Sequence, residues 1–227
     1  NMPFGAALSP DGERIYISNA GSNDISVIDL KNNKGLAHIS VGSNPRGIAV
    51  TPNGSLIFVN NVLDGTVSVI DAQSLEVMRT VKVTDISLTP HVLEGKKIFN
   101  SASSPVLTTD DWISCATCHF DGTMDKRTWR GFPDGPRNTP SLMGVGETLP
   151  LHWSGDFDEL QDVEITIREI EFGNGLVKGD AHDSLGVKHA GISKELDYLA
   201  SYMASLKVSP SPFIIDGELR AEGKALF

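Results

Sequence analysis

Ser26-Val27-Ile28-Asp29 and Ser68-Val69-Ile70-Asp71 are the same four letters set 42 residues apart, and this repeat decides how the first third of the chain is read. Working outward, the same offset relates Pro3-Phe4-Gly5 to Pro45-Arg46-Gly47 and Ser9-Pro10-Asp11-Gly12 to Thr51-Pro52-Asn53-Gly54. Next to these turns lie runs of β-branched and apolar residues, Arg14-Ile15-Tyr16-Ile17 and Leu56-Ile57-Phe58-Val59. Such runs, bounded by Pro-Asp-Gly or Pro-Asn-Gly, are the pattern of antiparallel strands with tight connections. A period near 40 with several strands per unit reads as β-propeller blades, two of them within residues 1–84. A closed ring takes about four to eight blades, so further blades are expected before Asn1, and the C-terminus likewise reads as cut within a new helix. No catalytic constellation falls in this stretch. A scaffold is expected there, with a docking or sensing surface as the other reading.

Composition narrows the class. The 227 residues are 40% apolar and 21% charged, which suits a globular chain with one large or two small cores. With 19 Lys and Arg against 29 Asp and Glu, the formal net charge is -10. That charge repels a phosphate backbone, so nucleic acid is not the expected partner. No apolar run approaches the roughly 20 residues of a membrane-spanning helix, and no leader pattern opens the sequence.

The strand pattern ends by residue 84, and Leu93-Glu94-Gly95-Lys96-Lys97-Ile98-Phe99-Asn100 reads as a helix with apolar residues at 93, 98 and 99. A second domain is expected over residues 91–208. The chain's only two cysteines follow in Cys115-Ala116-Thr117-Cys118-His119, and C-x-x-C-H is the attachment motif of c-type haem. Two thiols three positions apart on a helical turn reach both vinyl groups of one porphyrin. The next histidine then lies beneath the ring with its imidazole toward the iron. A thioredoxin-like pair wants a preceding strand and has no need of the histidine. Zinc wants further ligands at metal spacing, and no other cysteine exists. A disulfide between residues three apart has poor geometry. The reading is one covalent haem c on Cys115, Cys118 and His119, which places the chain in the periplasm or another extracytoplasmic space.

Tyr16-Ile17-Ser18-Asn19 and Phe58-Val59-Asn60-Asn61 resemble the YVTN family of β-propeller repeats, over about residues 3–83. From about residue 91 to 227 the chain resembles the di-haem cytochrome c peroxidase family, including its MauG-like members. The resemblance is carried by Gly95-Lys96-Lys97-Ile98-Phe99, by Ser114 to His119, by Gly135-Pro136-Arg137-Asn138-Thr139-Pro140-Ser141, and by Trp153-Ser154-Gly155 followed by Glu171-Phe172-Gly173. It implies a multidomain fold in which incomplete all-β propeller blades precede a mainly α-helical cytochrome c domain. It also implies that the carbonyl of Pro140 accepts a bond from His119, fixing the ring and raising its basicity. Arg137 and Trp129 are expected at the haem propionates, or else in ordinary surface and core roles. Glu171 aligns with an acidic residue that shuttles the proton of peroxide. Its other reading is a solvated helix face shared with Glu159, Glu164 and Glu169.

The sixth iron position departs from the family pattern. Arg130 stands where a mobile histidine is often found, and no histidine lies between His119 and His152. Met203 falls on the apolar stripe Leu196, Leu199, Met203 and Leu206, where core packing is its expected job. His152, just before Trp153, is therefore the candidate to ligate iron or to sit over it. His182 and His189 lie in a polar, glycine-rich loop and are expected to be solvated. Ser193 is the expected N-cap of a closing helix from Lys194 to Lys207. Residues 209–227 read as a Pro210-Ser211-Pro212 linker and the start of a second haem domain, since Gly223-Lys224-Ala225-Leu226-Phe227 repeats the G-K-x-x-F of Gly95 to Phe99.

Three functions remain open on the sequence. A peroxidase-type oxidoreductase would reduce hydrogen peroxide at an open iron near His152 and Glu171, fed by a small donor protein such as a cytochrome. An electron-transfer cytochrome would have a strong sixth ligand. A propeller-based binding or sensing module would use the haem domain without turnover.

Overall fold

The computed structural model describes residues 2–132, 135–210, 212 and 216–226. Asn1, Ser211 of the expected linker and Phe227, which closes the G-K-x-x-F repeat, lie outside them.

The 42-residue period becomes two consecutive four-stranded antiparallel sheets. The first is β1 (Pro3–Leu8), β2 (Arg14–Asn19), β3 (Asp24–Asp29) and β4 (Lys34–Ser40); the second is β5 (Pro45–Val50), β6 (Leu56–Asn61), β7 (Thr66–Asp71) and β8 (Val77–Lys82). In each, the strands hydrogen-bond in chain order. The β1–β2 and β5–β6 turns close on glycines at positive φ, Gly12 and Gly54, a conformation open to glycine because it lacks a Cβ. The inward residues Tyr16, Ile25, Val27, Ile57, Val59 and Ile70 form one core shared by both sheets. The sheets approach closely where Ser18 Oγ donates to the Arg46 carbonyl at 2.8 Å, and a Cβ on Gly5 would overlap that same oxygen. The last residue of each repeated tetrad is a lock: Asn19 Nδ2 donates to Asp24 and Ser26, and Asn61 Nδ2 to Thr66 and Ser68.

Beyond β8 the expectation of a mainly α-helical domain is overturned. Two helices of three turns, α1 (Pro90–Asn100) and α4 (Lys194–Ser205), are joined through α2 (Cys115–Cys118), a two-residue strand pair β9 (Thr128–Trp129) and β10 (Arg137–Asn138), and α3 (Val163–Glu169). Most of the chain between α1 and α4 is turn, bend and short 3-10 helix, so the described protein is dominated by its two antiparallel sheets. The physical reason lies in the backbone. Gly122, Gly131, Gly135, Gly144, Gly155, Gly175, Gly179 and Gly191 all sit at positive φ, which a right-handed helix cannot hold. Prolines at 136, 140 and 150 also remove donors a helix would need.

The helices α1 and α4 pack directly. A Cβ on Gly95 would overlap the carbonyl oxygen of Tyr198, and Phe99 meets Tyr202 edge to face at 5.1 Å. Ser193 caps α4, its side chain accepting from the Leu196 N–H at 3.3 Å. Leu196, Leu199 and Met203 are buried along one face, and Met203 packs in a core with Phe99, Ala116 and Ile167. A last helix, α5 (Gly217–Leu226), buries no residue. No helix among the described residues is long and apolar enough to cross a membrane.

Candidate functional site

The site is built on the single turn α2. Ser114 and Thr117 form a capping box, Thr117 Oγ1 accepting from the Ser114 N–H at 3.1 Å, which fixes the N-terminus of so short a helix. Cys115 and Cys118 are both free thiols and half-buried. Burial pushes the Cys115 thiol well up, with the Glu171 carboxyl adding to it. Cys118 is pushed up to about 11, again chiefly by burial.

His119 ends the turn. Its Nδ1 lies 3.0 Å from the carbonyl oxygen of Pro140. A carbonyl only accepts, so the ring proton is on Nδ1 and the lone pair is on Nε2. Burial holds the His119 pKa below its ordinary value, and the nearby His152 adds a small push the same way. The ring is thereby kept neutral, as a metal ligand must be.

Five further sequence candidates lie beyond this turn. Glu171 follows α3 and is buried, not on a solvated face. Its carbonyl accepts from the Thr108 hydroxyl at 3.1 Å and the Thr109 N–H at 3.3 Å, which turns its side chain inward to Cys115. Burial raises its carboxyl to about 7. His152 is at positive φ, its Nδ1 is 3.1 Å from Asp156 Oδ1, and its ring lies 3.6 Å from that of Phe157. Trp153 is 65% exposed and donates its indole N–H to the Asn138 carbonyl at 3.1 Å. Arg137 pairs with Trp129 across β9 and β10. The indole N–H of Trp129 donates to Asp125 Oδ2 at 2.7 Å.

Residues 4–96 match the family of cytochrome D1 heme domains. The match spans both sheets and the first part of α1, where YVTN repeats were expected, and stops before Cys115. Curated protein sequences give no match. Among solved structures, Kuenenia stuttgartiensis hydrazine synthase shares 34% identity over 37% of this chain and 24% of that one, with a TM-score of 0.36. The dihydro-heme d1 dehydrogenase NirN shares 30% over 37% of this chain and 18% of that one, with a TM-score of 0.35. The chain thus spans less than a quarter of the length of these proteins.

Sequence reasoning missed the polar groups that hold the site's surroundings. His189, expected in solvent, is fully buried against Asp162 and Glu159; His182 is exposed, its ring beside that of His189. Glu164 is also fully buried, accepting from Arg168 Nε at 2.7 Å, the Leu176 N–H at 2.8 Å and the Val177 N–H at 3.2 Å. The one signal for Glu164 was Arg168 four residues on, a helical ion-pair spacing.

The chain following α2 is also tied to the sheets. Arg46 of β5 makes a two-pronged pair with Asp121, at 2.7 and 3.3 Å, while lying 4.6 Å above the ring of Phe4. Phe4 in turn stacks on Phe120 at 6.1 Å.

Proposed function

We propose that this chain is the haem-bearing part of an extracytoplasmic oxidoreductase, with haem c bound through Cys115 and Cys118 and its iron held by His119. The observation that carries this reading is the bond from His119 Nδ1 to the Pro140 carbonyl, beside two thiols on one turn. It fixes the tautomer and orientation a haem ligand requires and leaves Nε2 to the metal. The exposed apolar residues Phe120, Met124, Trp153 and Phe172 flank this turn, Glu171 and His152 in sequence, and suit the face of a large apolar ring. The family match over the preceding sheets is consistent with haem-linked redox chemistry.

Within this reading hydrogen peroxide is the substrate, and a small cytochrome-like protein supplies the electrons. The haem, when bound, supplies the iron and the electron path. The chain's own part is proton transfer. Glu171, with a carboxyl near neutral pKa, takes a proton from one peroxide oxygen and returns it to the departing oxygen, so two electrons and two protons carry peroxide to two waters. Asp156 orients His152 through Nδ1. Arg137 holds a propionate by charge-assisted bonds.

A second reading rests on that Asp156–His152 pair, because a ring anchored at Nδ1 presents Nε2 as a sixth ligand, giving an electron-transfer cytochrome. Expression with a haem c maturation system tests both. Covalent haem retained on denaturing gels, and lost in Cys115→Ala/Cys118→Ala, is expected; a parent without covalent haem overturns the attachment. High-spin ferric iron whose peroxide turnover falls at least tenfold in Glu171→Gln supports the peroxidase. Low-spin iron that becomes high-spin in His152→Ala supports the carrier instead.

A further inference from the structure

The loop after Gly179 returns to the body of the protein at one imidazole. His189 is fully buried, its backbone N–H is taken by Glu159 Oε1, and its Nδ1 lies 3.0 Å from Asp162 Oδ1. Asp162 is itself fixed, because its other oxygen accepts the backbone N–H groups of Asp158 at 2.9 Å and Glu159 at 3.3 Å. A carboxylate only accepts, so the proton of a neutral His189 ring is on Nδ1 and its lone pair is on Nε2. That Nε2 is buried and has no hydrogen-bond partner among the described residues, a state folded proteins rarely tolerate. The ring of His182 lies beside the ring of His189, centroids 5.8 Å apart and planes tilted by 45°.

We propose that His189 and His182 form a binding site for a divalent transition-metal ion, with Asp162 the carboxylate that orients His189 from behind. A histidine that gives one ring N–H to a carboxylate and the other nitrogen to a metal is the recurring arrangement of imidazole metal sites. Zinc sits ~2.0–2.1 Å from such nitrogens. Two imidazoles sharing one ion therefore have centroids roughly 5–6.5 Å apart, and the observed separation falls inside that range. Neutral imidazoles select zinc, copper or nickel over magnesium and calcium. Because His182 is exposed, the ion enters from solvent and water completes its shell. Once bound, it pins the exposed part of the loop to the carboxylates before and within the 3-10 turn preceding α3.

The site is independent of the haem reading and is tested with zinc alone. Chelator-treated protein is titrated with zinc chloride by calorimetry, and its melting temperature is followed with and without the ion. One zinc per chain and a raised melting temperature are expected. His182→Ala, an exposed change that leaves the zinc-free melt unaltered, weakens binding at least tenfold, and Asp162→Asn weakens it about 10- to 100-fold. Absence of zinc binding by the parent overturns the proposal. So does a His182→Ala protein that binds zinc as the parent does, or zinc binding that is lost in His152→Ala instead.

Discussion

Residues 3–82 use one solution twice, whereas residues 90–207 use each contact once. In the sheets, Asn19 and Asn61 occupy equivalent positions and close equivalent hairpins. Turns close on Gly12 and Gly54 at nearly the same φ, and six of the core residues come from four strands in two registers. Around α2, order comes from buried polar groups reaching across loops: Glu164 to residues 176 and 177, Thr108 to residue 171, Glu159 to residue 189. Repetition spreads stability over many small equivalent terms. The irregular region concentrates it in a few groups that each hold several donors.

The sharpest break in that comparison is Glu164→Ala. It leaves the Leu176 and Val177 N–H groups without their acceptor, while the partly exposed Arg168 keeps the Val177 carbonyl, so the cost is about 1–3 kcal/mol. Thermal unfolding is expected to show a loss of that size. An unchanged melt would mean that the loop from Asn174 to Val177 is held by something other than Glu164.

Glu171→Gln tests the same concentration of effect through pH. The folded-state carboxyl is raised to about 7 from an ordinary 4.5, so folding favours the protonated form. Its contribution to stability is full below about pH 4.5, declines between that pH and about 7, and is lost above. That displacement corresponds to on the order of 3 kcal/mol. The variant, fixed in a neutral form, is expected to match the parent near pH 4 and to exceed it by up to that amount near pH 8. A variant whose stability follows the parent's at every pH would remove Glu171 from the buried position. Gaining stability while losing peroxide turnover would mark a group kept for chemistry at the expense of the fold.

What could be read in the sequence follows the same division. The strands were legible because a period of two and a turn are local signals, and copying them 42 residues on made them unambiguous. Cys115 to His119 stood out for a similar reason, since the whole C-x-x-C-H pattern lies within five residues. The helical content of the second region was overread: the helix at Lys194 and the one at Leu93 carry a 3.6-residue stripe, but the glycines between them dictate loops. His189 was misplaced because its partners lie 27 and 30 residues earlier, and a polar, glycine-rich loop looks the same whether its histidine points outward or in. The solvated-face reading of Glu171 failed because the groups that hold it, Thr108 and Thr109, lie some 60 residues earlier.

The smallest expected effect concerns the seam between the regions, where Arg46 reaches from β5 to Asp121. Asp121 is half exposed, so solvent screening limits the ion pair to about 1 kcal/mol or less, and the stacking of Arg46 on Phe4 adds a similar small amount. Arg46→Ala is therefore expected to leave both regions folded. What it changes is their coupling, because the chain next to the attachment turn loses its hold on the sheets while Lys97–Asp64 and Asn44–Asn100 persist. Calorimetry of the variant is expected to show a broader transition, or two, where the parent shows one. A single sharp transition in both proteins would mean that the α1 contacts alone join the regions, and that Arg46 serves the position of Phe120 beside the attachment turn rather than the integrity of the whole.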